Sequence, residues 1–215
     1  MISAIIFDMD GTLVNTEDVS QIAWKRALDA AGIKTTPEWR LGFIGKNIAS
    51  NTETLVELTG SRELAESIYA DHNRILDELS PTELKLKPGA REAVAAARRN
   101  GYGVALATGT YRDRTEWRLE RFGLTDAFDF VICGDEIIHG KPAPDLFLQA
   151  AAGLGVDPGL CLVVEDSPNG VLAAHAAGTR TFLIPDRIEP TPEITAMCDA
   201  VLDTLFEVEE AAKRL

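Results

Sequence analysis

The sequence predicts an α/β fold, a parallel-sheet core interrupted by an inserted helical domain, on three observations. Short apolar runs alternate with helix-patterned segments, glycines stand just past the ends of those helices, and one long early stretch lacks any strand-like run. Strands that alternate with helices build parallel sheets with right-handed crossovers.

The first run, Ala4-Ile5-Ile6-Phe7, is β-branched and aromatic and reads as a buried strand. It ends on Asp8-Met9-Asp10-Gly11-Thr12, so two carboxylates stand at its carboxyl end before a Gly turns the chain. Ligands bind at the carboxyl ends of strands in open α/β sheets. Anionic groups placed there need a cation, a proton or hydrogen bonds to offset them.

From Asn15 to Lys85 no convincing strand occurs. In Val19-Ile22-Ala23-Arg26-Ala27-Ala30 the spacing of three or four predicts a helix with Arg26 at the rim of its apolar stripe. Thr52 to Leu58 and Arg62 to Leu79 continue in that style. The division expected is a core of residues 1–14 and 87–215 and an inserted helical domain of residues 15–86, with hinges near Leu13–Thr16 and Leu86–Pro88. Trp24 and Trp39 in the insert read as core before substrate platform.

Further strands are expected at Tyr102–Ala107, Phe128–Ile132, Leu160–Val164 and Arg180–Ile184, with a short edge strand at Ala200–Leu202. Helical patterning covers Arg91–Asn100, Arg112–Phe122, Pro144–Leu154 and Asn169–Ala177. Gly101, Gly123, Gly155 and Gly178 follow these where C-caps belong. The tail after Pro185 is expected to return over the sheet edge and end in a helix.

Composition narrows the function. With 46% hydrophobic and 26% charged residues the chain is expected to fold as an ordinary globular protein. A net charge of −13 disfavours nucleic acid, which needs a basic face. No apolar stretch approaches the roughly 20 residues of a membrane span, and Asp8 and Asp10 interrupt the only run placed like a signal peptide. Cys133, Cys161 and Cys198 are scattered without metal-ligand spacing, as expected for buried thiols in a reducing compartment. A cytoplasmic monomer is the simplest expectation. Given the acidity, a phosphorylated ligand would have to be met by local cations.

Strand ends bring four polar sets to one edge: Asp8 and Asp10; Thr108-Gly109-Thr110; Gly140-Lys141-Pro142; and Glu165-Asp166-Ser167-Pro168-Asn169-Gly170. In this order the chain resembles the haloacid dehalogenase-like superfamily, in which Asp-x-Asp-Gly-Thr, a Ser or Thr, a Lys and an acidic pair each follow a hydrophobic strand. The resemblance spans residues 1 to about 185 and implies a Rossmann-like core with a helical cap domain. The insert is similar to the cap of the branch holding β-phosphoglucomutase and sugar-phosphate phosphatases.

By this resemblance Asp8 matches the nucleophile, forming an aspartyl-phosphate, and Asp10 the general acid and base. Lys141 would neutralise the transferring phosphoryl group and Thr108 would donate to one of its oxygens. Backbone N–H groups of Met9, Gly109 and Asp10 would complete the cradle. Mg2+ is the implied cofactor, held by the Asp8 side chain, the Asp10 backbone carbonyl and Asp166, with Glu165 direct or through water. Plainer readings stand beside these: Thr108 as cap of the following helix, and Asn169 as either a helix N-cap or a residue supporting the phosphate and metal site. His72, His139 and His175 fall outside every motif.

The family's dehalogenases and phosphonate-cleaving members usually lack an acidic residue where Asp10 stands, so by this resemblance Asp10 implies phosphate-ester chemistry with an alkoxide leaving group to protonate. The expected substrate is a small phosphorylated metabolite, a sugar or polyol phosphate. A sugar-phosphate mutase is the alternative, but mutases of this branch carry a His where Ser20 stands and basic residues where Ile44 and Ile48 stand, leaving Lys46. A non-catalytic phospho-ligand-binding regulator is a remoter alternative.

Overall fold

The computed structural model describes residues 1–44 and 48–215. Gly45, Lys46 and Asn47, in the segment compared with the mutases above, lie outside the described residues. By its contacts the chain divides into two compact units, Met1–Val14 with Leu86–Leu215, and Asn15–Lys85.

The helical unit is built from α1 (Thr16–Ala30), α2 (Pro37–Arg40), α3 (Ile48–Thr59) and α4 (Arg62–Glu83). The stripe that α1 buries is Val19, Ala23, Trp24, Ala27 and Leu28, while Ile22, Arg26 and Ala30 are exposed. The predicted stripe is therefore displaced by about one position. The cause is Trp24, whose ring stacks on Phe43 (centroids 4.2 Å apart) and on His72 (3.8 Å), turning its side of α1 inward. Trp24 is core, as expected; Trp39 is 36% exposed and meets Phe43 edge-on. Ser61 opens α4 by accepting from the Leu64 N–H, a side-chain N-cap.

The larger unit holds β1 (Ala4–Phe7), α5 (Ala90–Arg99), β2 (Gly103–Ala107), α6 (Arg112–Arg121), β3 (Phe130–Ile132), α7 (Asp145–Leu154), β4 (Cys161–Glu165) and α8 (Pro168–Ala177). It continues through β5 (Arg180–Leu183), α9 (Pro192–Thr195), β6 (Ala200–Val201) and α10 (Val208–Ala212). Its strands form one parallel six-stranded sheet in the order β3-β2-β1-β4-β5-β6. Every residue of β1 and β4 is buried, which is why those strands read as continuous apolar runs. Ala4, Ile6, Ala105, Ala107 and Val163 pack under Leu146, Phe147 and Ala150 of α7 and Ala173, Ala174 and Ala177 of α8.

Three strand starts differ from expectation. β2 begins one residue late, at Gly103, because the Tyr102 N–H still bonds the Ala97 carbonyl of α5, and the other two differ for equally local reasons. Asp129 accepts from the Val104 N–H at 2.8 Å through its side chain, so the β2–β3 ladder begins only at Phe130. Leu160 lies in a one-turn helix and is 44% exposed, and β4 instead runs on to Glu165. The four expected stop glycines all adopt positive φ. The tail adds β6 at the sheet edge, and Glu209 of α10 accepts from Arg99 and Asn100 at the end of α5. Cys133 and Cys161 are buried and Cys198 is half-buried; burial pushes all three thiols up to about 11.

What the fold does for function follows from strand order. In this doubly wound order the chain reverses direction across the sheet between β1 and β4. Ligands bind outside the carboxyl ends of the strands at that reversal, where Asp8 follows β1 and Glu165 ends β4.

Candidate active site

Asp8 continues the β1 ladder by one residue, donating its N–H to the Val164 carbonyl at 3.0 Å, and is 3% exposed. The chain then turns sharply, with the Met9 carbonyl accepting from Leu13 and Val14 at 2.9 Å each. Gly11 makes the turn at φ +81°, and a Cβ there would overlap the Asp166 carboxylate. The hydroxyl of Thr12 donates to Asp166 at 3.1 Å. Gly and Thr after the two aspartates thus serve to bring β1 and β4 ends together.

Lys141 comes from the loop before α7 and places its ammonium 2.5 Å from Asp8 Oδ1 and in contact with Glu165 Oε1. Its nitrogen also stands 5.2 Å from the Phe147 ring centroid. Glu165 is fully buried, and its other oxygen accepts from the N–H groups of Asp166 and Ser167 (2.8 Å each) and the Ser167 hydroxyl (3.0 Å). A Cβ at Gly170 would overlap the Glu165 carboxylate, so α8 approaches this closely only because residue 170 has no side chain.

Burial would by itself lower Lys141, but the charges of Asp8 and Glu165 outweigh it and hold the ammonium well above the usual lysine range. Burial pushes Asp8 the other way, up to about 7; Lys141 opposes that rise, and the nearby Glu165 and Asp10 charges add to it.

Asp10, partly exposed, is held by a separate set of donors. Its Oδ2 accepts from Thr108 at 2.8 Å and Thr110 at 2.7 Å, and its Oδ1 from the Arg118 guanidinium at 2.6 Å. Arg118 reaches in from α6 and is 4% exposed. Thr108, fully buried, is not the cap of α6, since Tyr111 occupies that position. Ser167 caps α8, its hydroxyl accepting from the Gly170 N–H at 3.1 Å, so the N-cap alternative for Asn169 is corrected: Asn169 lies half-buried in the first turn.

The structure therefore brings Asp8, Asp10, Thr108, Lys141, Glu165 and Asp166 to one edge. Met9 buries its side chain in the core between the two aspartates, and Gly109 stands exposed between Thr108 and Thr110. Sequence reasoning missed Arg118 and Thr110. The signal for Arg118 was its spacing with Thr115, Leu119 and Phe122, which puts a guanidinium on the inward stripe of α6.

Asp8, Glu165 and Asp166 each offer an oxygen within 4.8 Å of the others. Three buried carboxylates against the single ammonium of Lys141 leave surplus negative charge, and hard oxygen donors suit a divalent cation of the magnesium or calcium type. The residues present fit such an ion. A second acidic group, Cys133 with Asp135 and Glu136, differs, because Glu136 already accepts from the Cys133 N–H and from Arg112.

This fold and site define a hydrolase class. A family model of the haloacid dehalogenase-like hydrolases matches residues 2–178, and the chain belongs to that family. Divalent metal use is general among its hydrolases. Hexitol phosphatase B of Escherichia coli (strain K12) is 32% identical over 96% of this chain and 94% of its own length. The longer bifunctional riboflavin kinase/FMN phosphatase of Arabidopsis thaliana is 32% identical over 96% of this chain, which spans 54% of that protein. The crystal structure of CbbY from Rhodobacter sphaeroides in complex with phosphate superposes with a TM-score of 0.76 at 29% identity, covering 97% of this chain and 96% of the other. Among the described residues no helix is long and apolar enough to cross a membrane.

Proposed function

We propose that this protein is a Mg2+-dependent phosphomonoester hydrolase acting on a small phosphorylated metabolite, a sugar or polyol phosphate, through an aspartyl-phosphate on Asp8. The observation that carries this is the separation of the two aspartates: Asp8 lies against the Lys141 ammonium at 2.5 Å, whereas Asp10 is held apart by Thr108, Thr110 and Arg118. One carboxylate is arranged as a nucleophile beside a buried cation, the other as a proton carrier between two hydroxyls and a guanidinium.

In the first half-reaction an Asp8 oxygen attacks phosphorus and the bond to the ester oxygen breaks. Protonated Asp10 gives its proton to the departing alkoxide. In the second, Asp10, now ionised, takes a proton from the attacking water, the Asp8–phosphorus bond breaks and phosphate leaves. Lys141 cancels charge on Asp8 and on the transferring group throughout. The N–H groups of Met9, Asp10 and Gly109 are assigned to the phosphoryl oxygens, joined by the Thr108 hydroxyl once it turns from Asp10, with Asn169 supporting that set. Asp8, the Asp10 carbonyl and Asp166 would hold Mg2+, with Glu165 contributing directly or through water; the ion supplies positive charge against the phosphoryl oxygens. Glu165 also orients Lys141.

Residues 15–86 are assigned as the cap that selects the carbon skeleton, and residues 1–14 with 87–215 as the catalytic core. The name of the Escherichia coli relative, a hexitol phosphatase, supports a polyol phosphate. Ser20, Ile44 and Ile48 favour hydrolysis over mutase activity for the reason given by their identities. The free cysteines are in keeping with a cytoplasmic setting, and one chain carries every residue given a role.

The test is a screen of phosphorylated sugars and polyols with and without Mg2+, including β-glucose 1-phosphate with a mutase readout. Phosphate release that needs Mg2+ and vanishes in Asp8→Asn is the expected result. Equal release by wild type and Asp8→Asn would overturn the proposal.

A further inference from the structure

The Asp10 carboxylate accepts from three side-chain donors, and the one furthest along the chain, Arg118, has no place in the reaction described above. Arg118 is nearly fully buried, and its guanidinium contacts Asp10 Oδ1 at 2.6 Å and the Thr110 hydroxyl at 3.3 Å. A guanidinium is always charged and can only donate. Burying one is costly unless it is paired and hydrogen-bonded, and breaking a buried pair strands the remaining charge. The partner that accounts for this burial is Asp10.

The arrangement also restricts where the Asp10 carboxylate can be. Thr108 and Thr110 approach one oxygen from the end of β2, and Arg118 approaches the other from α6. Asp10 itself follows the β1 turn, so two neighbouring segments converge on its side chain. The Thr110 hydroxyl touches both Asp10 and Arg118 and ties the two donors into one assembly. Proton transfer tolerates little displacement, and a misplacement of about 1 Å costs on the order of 10²-fold.

We propose that Arg118, with Thr110, is a positioning residue for Asp10, holding its carboxylate in the place from which it serves the leaving group. The assignment rests on the phosphatase reading above for its catalytic consequence, and on geometry alone for the pairing. Arg118 contacts neither the nucleophile nor the phosphoryl group in this role; it acts through Asp10. It is carried on the inward face of α6.

Two measurements on the full chain test it. The first compares p-nitrophenyl phosphate, whose leaving group departs without a proton, with phenyl phosphate, whose leaving group gains from one. Arg118→Met should lower kcat/KM, which reports only the steps through departure of the leaving group, about tenfold or more on phenyl phosphate and by less than about threefold on p-nitrophenyl phosphate. Arg118→Lys should recover part of the loss, because an ammonium can still donate to one Asp10 oxygen. An equal loss of kcat/KM on both substrates, or unchanged kinetics, would overturn the positioning role. The second is a thermal double-mutant cycle with Arg118→Met, Asp10→Ala and the double variant. The double variant should lose several degrees less than the sum of the single losses. Additive losses would overturn the pairing. If wild type cleaves neither ester and releases no phosphate in the sugar- and polyol-phosphate screen, the phosphatase reading falls, and the thermal cycle still decides whether Arg118 and Asp10 are coupled.

Discussion

Lys141 meets Asp8 at 2.5 Å across 133 residues of chain, and the same ammonium binds Glu165. One cation therefore holds two buried carboxylates, from the ends of two adjacent strands, in a single arrangement. Lys141→Ala should lower turnover by at least ~10²-fold, the usual consequence of removing one electrostatic stabiliser. In metal-free protein it should also lower unfolding free energy by about 3–5 kcal/mol, because Asp8 and Glu165 then face each other uncompensated. Steady-state kinetics and denaturant titration measure the two effects, and a turnover loss below tenfold would make Lys141 a bystander.

The raised Asp8 carboxyl gives stability a definite pH dependence. With its ordinary value near 3.8 in the unfolded chain and about 7 in the fold, Asp8 binds its proton more tightly in the folded protein across that window. Stability of the metal-free protein should therefore fall as pH rises from about 4 to about 7. Lys141, shifted upward, contributes stability throughout that range and loses it only above its ordinary value of 10.5. Mg2+ would bind the ionised Asp8, so adding it should raise Tm clearly at about pH 8 and little at about pH 4.5. Thermal melts at several pH values, with and without MgCl2, would show this; an equal Mg2+ effect at both ends contradicts it.

Gly170 is required by contact. Gly170→Ala places a methyl group into the Glu165 carboxylate and should cost about 1–3 kcal/mol, the usual penalty for overpacking. Gly140→Ala, where a Cβ meets nothing within 4 Å, should shift stability by no more than about 0.5 kcal/mol. Equal denaturation midpoints for the two variants would show that α8 can draw back from Glu165 without cost.

Asp10→Asn separates the two half-reactions. Attack by Asp8 on an ester with a good leaving group should survive at a reduced rate, while hydrolysis of the resulting aspartyl-phosphate slows much more, since the asparagine cannot take a proton from water. Rapid acid quench followed by intact-protein mass measurement should reveal a phosphorylated chain. Unmodified protein under these conditions would count against giving Asp10 both roles.

Much of the site was legible in sequence because its parts are local. Asp8, Asp10, Thr108, Glu165 and Asp166 each follow or end a recognisable apolar run, and a strand end needs only a few residues to declare itself. Lys141, on the loop before α7, was legible only by its place in the motif order. Arg118 was not legible in that way: it stands in the middle of a helix rich in arginine, where solvation is the ordinary fate of such a residue. The stripe of α1 was misplaced by one position for a related reason. Periodicity predicts that one face is buried, but Trp24 stacking on Phe43 and His72 settles which.

By itself, then, the chain's order of residues determined the α/β alternation, the helical insert and the motif set at the strand ends, because each depends on short-range pattern and backbone chemistry. Only tertiary structure decided which charges are partners. Asp8 with Lys141 and Glu165, and Asp10 with Thr108, Thr110 and Arg118, are pairings across long stretches of chain. Their electrostatics depend on burial and on separations of a few ångströms, neither of which is a property of any segment alone.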